Sequence, residues 1–338
     1  MCVMSTPLAA GSRSGARLSW VDAARGAGIV LVVVGHTERG LLNSGLLEHV
    51  DEYAWVDNRI YAFHMPLFFV LSGIFFLGSL ERQPPSRFLW SKAVRLLFPL
   101  LIWTPTFLAF KVVAGSLANT PADWSDVLVS PIPGKLHFWF LWALFVMQVT
   151  MLLAKPAITR TGRRAVGLGA LAVSVMLALL DDFGAAAPYV REAAQYGPFF
   201  ALGMVLGSAR LPSRAPAAAA LAGAAVFGAT LALLPLDYKT SGPLRLLAGA
   251  LLSCCFVAVV AALGQGRLSA LLATLGRGSM AIYLAHTIFS AALRAALVKA
   301  GVSHESVHMV LGTAVGVGGP LALYWATQRL GVSKYLGF

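Results

Sequence analysis

The feature that most limits what this chain can become is a recurrence of apolar windows about 20 residues long, the length at which a helix crosses the hydrocarbon of a bilayer. About ten such windows follow one another, at 23–42, 60–79, 96–117, 137–154, 165–181, 190–208, 216–235, 243–263, 278–299 and 308–328. The fold class they predict is an all-α polytopic membrane protein. Composition agrees, since 58% of residues are hydrophobic and 12% charged, about half the charged share of a soluble domain.

An even number of crossings puts both termini on one side. Arg13, Arg17, Arg82, Arg87, Lys92, Arg95, Lys155, Arg160, Arg163, Arg164, Arg210 and Arg277 gather there. Arg39, Arg59, Lys111, Lys239 and Arg294, with most acidic residues, fall toward the other face. Basic residues stay in the cytoplasm, so cytoplasmic termini are expected. This distribution also argues against nucleic acid as the partner behind the +12 net charge. The expected organisation is a cytoplasmic tail at 1–19, one membrane domain at 20–330 and a cytoplasmic tail at 331–338. No apolar core precedes Val21, so the first helix is expected to act as its own anchor, not as a cleaved signal. Of three cysteines, Cys254 and Cys255 are adjacent within an apolar run and Cys2 stands alone, so no disulfide framework is implied. The longest outer connections, 42–59 and 119–136, are too short for folded domains.

Ionisable groups within a span are costly and read as functional by default. The stretch Val21–His36, VDAARGAGIVLVVVGH, places Arg25 and His36 on one helical stripe, 11 positions or about three turns apart and about 16 Å along the axis. Asp22 lies on nearly the same stripe and can pair with Arg25. In YAFHMPLFFVLSGIFF, His64 lies toward the outer end and Ser72 deeper. His137 opens the fourth window within an aromatic belt, and Ser279, Tyr283 and His286 share one face of the ninth. Each has a structural alternative: His36 as a histidine bonded to a neighbouring helix, Arg25 as an interfacial anchor, Ser72, Ser279 and Tyr283 as packing or polar glue. His304 and His308 read as solvated. No metal site is expected.

The segments RLSWVDAARGAGIVLVVVGH, FHMPLFFVLSGIFF, KAVRLLFP, HFWFLWAL, YGPFFALGMVLG and LGRGSMAIYLAH, in that order, resemble the acyltransferase-3 family of polytopic membrane acyltransferases, from about Arg17 to Gln328. HMPLFF and HFWFLWAL are most similar to the sugar O-acetyltransferases of the fucose-acetylase type. The resemblance carries the family's first-helix Arg and His onto Arg25 and His36, its FFxxSG segment onto Phe68, Phe69, Ser72 and Gly73, and its late Ser, Tyr and His onto Ser279, Tyr283 and His286. Ala24 and Met280 depart mildly from the pattern. The periplasmic hydrolase-like domain of some members has no counterpart in this sequence.

The resemblance implies a bacterial cytoplasmic-membrane enzyme that takes an acyl group from cytoplasmic acyl-CoA, acetyl-CoA in the first instance, to a hydroxyl of an envelope or secreted glycan or glycolipid. Acyl-CoA would be a co-substrate, with no permanently bound cofactor. Transfer to a hydroxyl needs a base, and the imidazole of His36 is the expected one. Ser279, Tyr283, His286 and, more weakly, Ser72 are candidate donors to the oxyanion. Arg25, Arg95 and Arg277 would hold the CoA phosphates, and His64, Ser72 and His137 would line the acceptor side. Direct transfer and an acyl-histidine intermediate both remain open, as do the sugar acylated and the oligomeric state. The competing reading is a transporter or flippase of a lipid-linked glycan or acyl intermediate, with Arg25 and His36 lining its passage. A scaffold subunit of a glycan synthase is the third.

Overall fold

A computed structural model describes residues 19–115, 118–128, 131–209, 211–212, 214–237, 242–264 and 266–338. The expected tail before Ser19, with Cys2, Arg13 and Arg17, lies outside the described residues, as do Arg210 and Lys239. The helices are α1 (Ser19–Asn43), α2 (Val50–Ile74), α3 (Phe76–Arg82), α4 (Pro85–Lys92), α5 (Phe98–Ala114), α6 (Trp124–Leu128), α7 (Trp139–Thr150), α8 (Lys155–Leu180), α9 (Ala187–Gly207), α10 (Ala217–Leu233), α11 (Pro243–Ala262), α12 (Arg267–Arg277), α13 (Ser279–Lys299) and α14 (Glu305–Arg329). Among the described residues there is no strand.

Every apolar window carries a helix, but among the described residues six stretches are long and apolar enough to cross a membrane. One of them, Leu136–Leu180, contains both α7 and α8. The remainder fall short for identifiable reasons. Asp22, Arg25, Glu38 and Arg39 dilute α1, Arg191, Glu192 and Gln195 dilute α9, and α10 has 17 residues. The protein is a multi-pass helical bundle. Apolar side chains such as Leu168, Val173, Met176, Leu221, Leu247 and Val310 stand exposed on its flanks, as a surface facing lipid requires.

Three local features depart from the sequence expectation. The segment 50–59, read as part of a loop, is the first part of α2. Between α2 and α5 the chain folds into two short helices and a π-helical turn, Ala93–Leu97, that carries Arg95. In α8, Gly162 has φ 83° and ψ 162°, a left-handed break within its basic stretch, with Lys155 and Arg160 before it and Arg163 and Arg164 after it.

The element missed outright is α12, which is too short and too amphipathic for a 20-residue window. Its buried residues are Ser269, Ala273 and Gly276, while Leu268 and Leu271 are exposed. That small-residue face lies against α1, which also packs on α2, α11, α13 and α14. The contact is backbone to backbone: a Cβ on Gly26 would stand 1.8 Å from the Leu272 carbonyl oxygen, and one on Gly276 would stand 1.8 Å from that of Asp22. Small residues permit such approaches between membrane helices. Gly73 and Gly203 bring α2 against α9 in the same way, beside a ring cluster in which Phe69 stacks on Tyr196 at 5.1 Å.

Replacing Gly276 or Gly26 with valine should lower the stability of the detergent-solubilised protein by about 3 kcal/mol or more, since backbone must move to admit the side chain. Gly169→Ala, where nothing lies within 4 Å, should leave the thermal unfolding midpoint unchanged. Equal midpoints for Gly276→Val and Gly169→Ala would refute the α1–α12 contact.

Candidate functional site

Three histidine rings from three helical segments meet where α1, the short 3-10 turn Leu136–Phe138 and α13 converge. The ring of His36 lies 5.0 Å from that of His286 and 5.8 Å from that of His137, and the last two are 5.3 Å apart. His286 is fully buried. Its Nδ1 faces the carbonyl oxygens of Ile282 and Tyr283, each at 2.9 Å. A carbonyl can only accept, so Nδ1 carries the proton and Nε2 presents a lone pair. That nitrogen has no protein partner, nor has Nε2 of buried His137. Buried polar atoms are seldom left so, and here two of them belong to one cluster.

On either side of this cluster lies a cavity. The first, about 420 Å³, opens at the end where α1 begins and is lined by Arg25, Ser72, Lys92, Arg95, Arg277 and Ser279, among others. Asp22 lies 3.6 Å from Arg25 and is buried, which holds the arginine at the mouth. The second, about 500 Å³, opens at the opposite end and is lined by His36, His137, Arg39, Lys111, Asn119 and Arg294, among others. The partition between them is thin. Tyr283 lines the first cavity, His137 the second, and the Tyr283 hydroxyl donates to the His137 carbonyl oxygen.

The residues expected from the sequence thus separate into groups. Arg25, Arg95, Arg277, Ser279 and Ser72 share the first cavity, with Tyr283 at its floor. His36 and His137 face the second, and His286 lies between them, sealed from both. His64 reaches neither. Its Nδ1 donates to the Ile60 carbonyl at 2.7 Å and its ring packs edge-on against Tyr61, which in turn touches His36. The tautomer of His286 makes that ring an acceptor, opposite to the donor role expected of it. His308, expected to be solvated, is buried, and its Nε2 donates to the Val302 carbonyl at 2.9 Å. The cause is the tight turn before α14, over which the ring folds.

Several lining residues escaped the sequence reading. Lys92 stands beside Arg95 in the first cavity, as does Gln148, whose Oε1 is buried without a partner. Gln148 was discoverable as the one amide in the run WFLWALFVMQVT. Arg39, Lys111 and Arg294 were counted for topology alone, and only their convergence on one cavity gives them a further meaning.

The site is thus a helical bundle with a cavity toward each end of α1, and the histidine cluster stands beside the partition between them. The family model described as "Acyltransferase domain" matches residues 18–325, and the chain belongs to this acyltransferase-3 family. Part of it is similar to two curated proteins named "Nodulation protein NolL". One, from Mesorhizobium japonicum, is 31% identical over 132 residues, 37% of this chain and 32% of that protein. The other, from Sinorhizobium fredii, is 35% identical over 131 residues, 36% of this chain and 32% of that protein. The matched region thus covers about a third of the relatives' length. No solved structure matches the chain.

Cysteine labelling checks the two-cavity arrangement. In a background with Cys2, Cys254 and Cys255 replaced by alanine, Ser72→Cys should react with a membrane-impermeant maleimide from one side of the membrane only. Thr120→Cys should react from the other side only. Labelling of both from the same side would contradict the arrangement.

Proposed function

We propose that this protein is an O-acyltransferase of the bacterial cytoplasmic membrane. It moves an acyl group, acetyl in the first instance, from cytoplasmic acyl-CoA to a hydroxyl of an envelope or secreted glycan or glycolipid, with His36 as general base. The observation that carries this reading is the placement of Arg25 and His36 on opposite sides of the Tyr283 partition while they share one helix. Family membership supplies the reaction class. On this reading the first cavity opens to the cytoplasm, as the positive-inside rule expects of its arginines.

The CoA phosphates meet Arg25, Arg95, Arg277 and Lys92, each a donor of charge-assisted hydrogen bonds. The pantetheine arm follows the α1 stripe past Ser72 and Ser279 toward the partition, a rise of about 16 Å. The acceptor hydroxyl comes from the second cavity to His36. Its oxygen attacks the thioester carbonyl, the C–O bond forms, and His36 takes the hydroxyl proton. As the intermediate collapses the C–S bond breaks, and the thiolate recovers a proton to leave as free CoA.

The oxyanion needs donors in a dry site. Ser279 supplies one, and Tyr283 a second if its hydroxyl turns from the His137 carbonyl to the intermediate. With its lone pair, His286 serves as an acceptor beside His36 and steadies the imidazolium formed during transfer. The same geometry is consistent with an acyl-histidine intermediate, in which His36 attacks first. A transporter reading also draws on back-to-back cavities, but it gives the Arg25-to-His36 stripe no thioester chemistry to perform.

Release of free CoA thiol from acetyl-CoA by the protein in nanodiscs, with and without an envelope-glycan extract, tests the proposal. His36→Ala should cut acceptor-stimulated release by at least about 10²-fold, the lower end for loss of a general base. Arg25→Ala should raise the KM for acetyl-CoA about tenfold or more, as expected for a lost charge-assisted contact. Folded wild-type protein that releases no thiol from any acyl-CoA, with any extract, would favour the transporter instead.

A further inference from the structure

The second cavity has a chemical character that acyl transfer to a neutral sugar does not require. Its charged lining residues are Arg39, Lys111 and Arg294, and no carboxylate lines it among the described residues. Arg39 is balanced by Asp57, which accepts from Nε and Nη2 at 2.9 and 3.0 Å. The other two are not balanced in this way. Arg294 Nη2 donates to the Asn119 side-chain oxygen at 2.7 Å, and Asn119 Nδ2 in turn donates to the Gly40 carbonyl at 2.8 Å. Lys111 Nζ donates to the Thr120 hydroxyl at 2.7 Å. Among the described residues neither has a carboxylate within ion-pair distance; the Asp126 carboxylate acts on Lys111 from further away.

The two cations are also held in place. Arg294 is half-buried, with Nη1 so close to Gly40 that a Cβ there would approach it to 2.5 Å. Its other guanidinium nitrogen is occupied by an amide that α1 anchors. An arginine whose only hydrogen-bond partner is neutral is under-compensated in charge, and a membrane-embedded guanidinium is costly without a counter-charge. Deeper in the same cavity, the buried Thr287 hydroxyl and His137 Nε2 have no partner. Fixed cations near the rim and orphaned neutral polar groups near His36 fit one ligand that is anionic at one end and hydroxylated at the other.

We propose that the second cavity is an anion-reading acceptor site. Lys111 and Arg294 bind a phosphate or carboxylate carried by the glycan acceptor, while Thr287 and His137 receive its uncharged sugar hydroxyls beside His36. This inference rests on the acyl-transfer reading for the identity of the ligand as an acceptor, but the anion site itself does not. A glycosyl phosphate and a hexuronate both carry the required charge and differ in where it stands relative to the ring hydroxyls.

The test uses the full-length protein in phosphatidylcholine nanodiscs, so that no lipid headgroup supplies a net anion. Calorimetric binding of glucose 1-phosphate, methyl glucuronide and uncharged methyl glucoside is compared at low and high salt. At least one charged probe should bind about tenfold or more tighter than methyl glucoside, with an advantage that shrinks as salt screens the contact. Preference for the phosphate or for the uronate identifies which anion the site reads. Arg294→Gln with Lys111→Gln should abolish the advantage.

Wild-type protein that binds charged and neutral probes alike would overturn the proposal, as would an advantage that survives the double substitution. Thiol release measured on the same samples separates the two readings. Anion preference in a protein that turns over no acyl-CoA would sink the acyltransferase and leave the anion site. Equal turnover of charged and neutral acceptors would do the reverse.

Discussion

The backbone contact between α1 and α12 is the constraint on which the rest of the site depends. With Gly26 against Leu272 and Gly276 against Asp22, α1 is fixed in rotation as well as position. Two consequences follow from that one register. Arg25 shares the first cavity with Arg277 at the end of α12, and three turns later His36 meets His286 from α13. A rotation of α1 by one residue, about 100°, would take both groups off their cavities together.

The three imidazoles of the polar cluster are held by different contacts. His286 is committed to the carbonyls of its own helix, so its free nitrogen can only accept. His137 stands at the start of a helix whose backbone carbonyl is tied to Tyr283. His36 has ring neighbours, no hydrogen bond to the protein among the described residues, and a place in the lining of the second cavity. Its nitrogens, like Nε2 of His137, are therefore without a protein partner there.

Much of the architecture was legible because helix length and hydrocarbon thickness are coupled. Helices occur at every apolar window, and the Arg25, Asp22 and His36 stripe could be drawn from the 3.6-residue period alone. The joining of His36, His137 and His286 was not legible, since their separation in sequence carries no information on how helices cross. Nor was α12. Its exposed leucines are interleaved with the small residues that touch α1, so it falls below any hydropathy window even though it sets the register of the first helix. The reading of His64 as a site residue assumed that depth along a helix implies access, and in the structure Tyr61 stands between it and His36. The solvated reading of His308 erred similarly, because it judged exposure from nearness to a loop.

The partition built from Tyr283 and the His137 carbonyl also bears on electrical insulation. A membrane that sustains 100 mV stores about 2.3 kcal/mol for every elementary charge that crosses it, and two facing aqueous pockets concentrate that field across the short stretch of protein between them. A phenol bonded to a main-chain oxygen, with Phe138 and Phe140 rings at 6.3 and 5.8 Å from the tyrosine ring, fills the stretch between the two cavities. With the two cavities opening to opposite faces of the membrane, as the proposed function has it, Tyr283 would stand in the gap across which that potential falls.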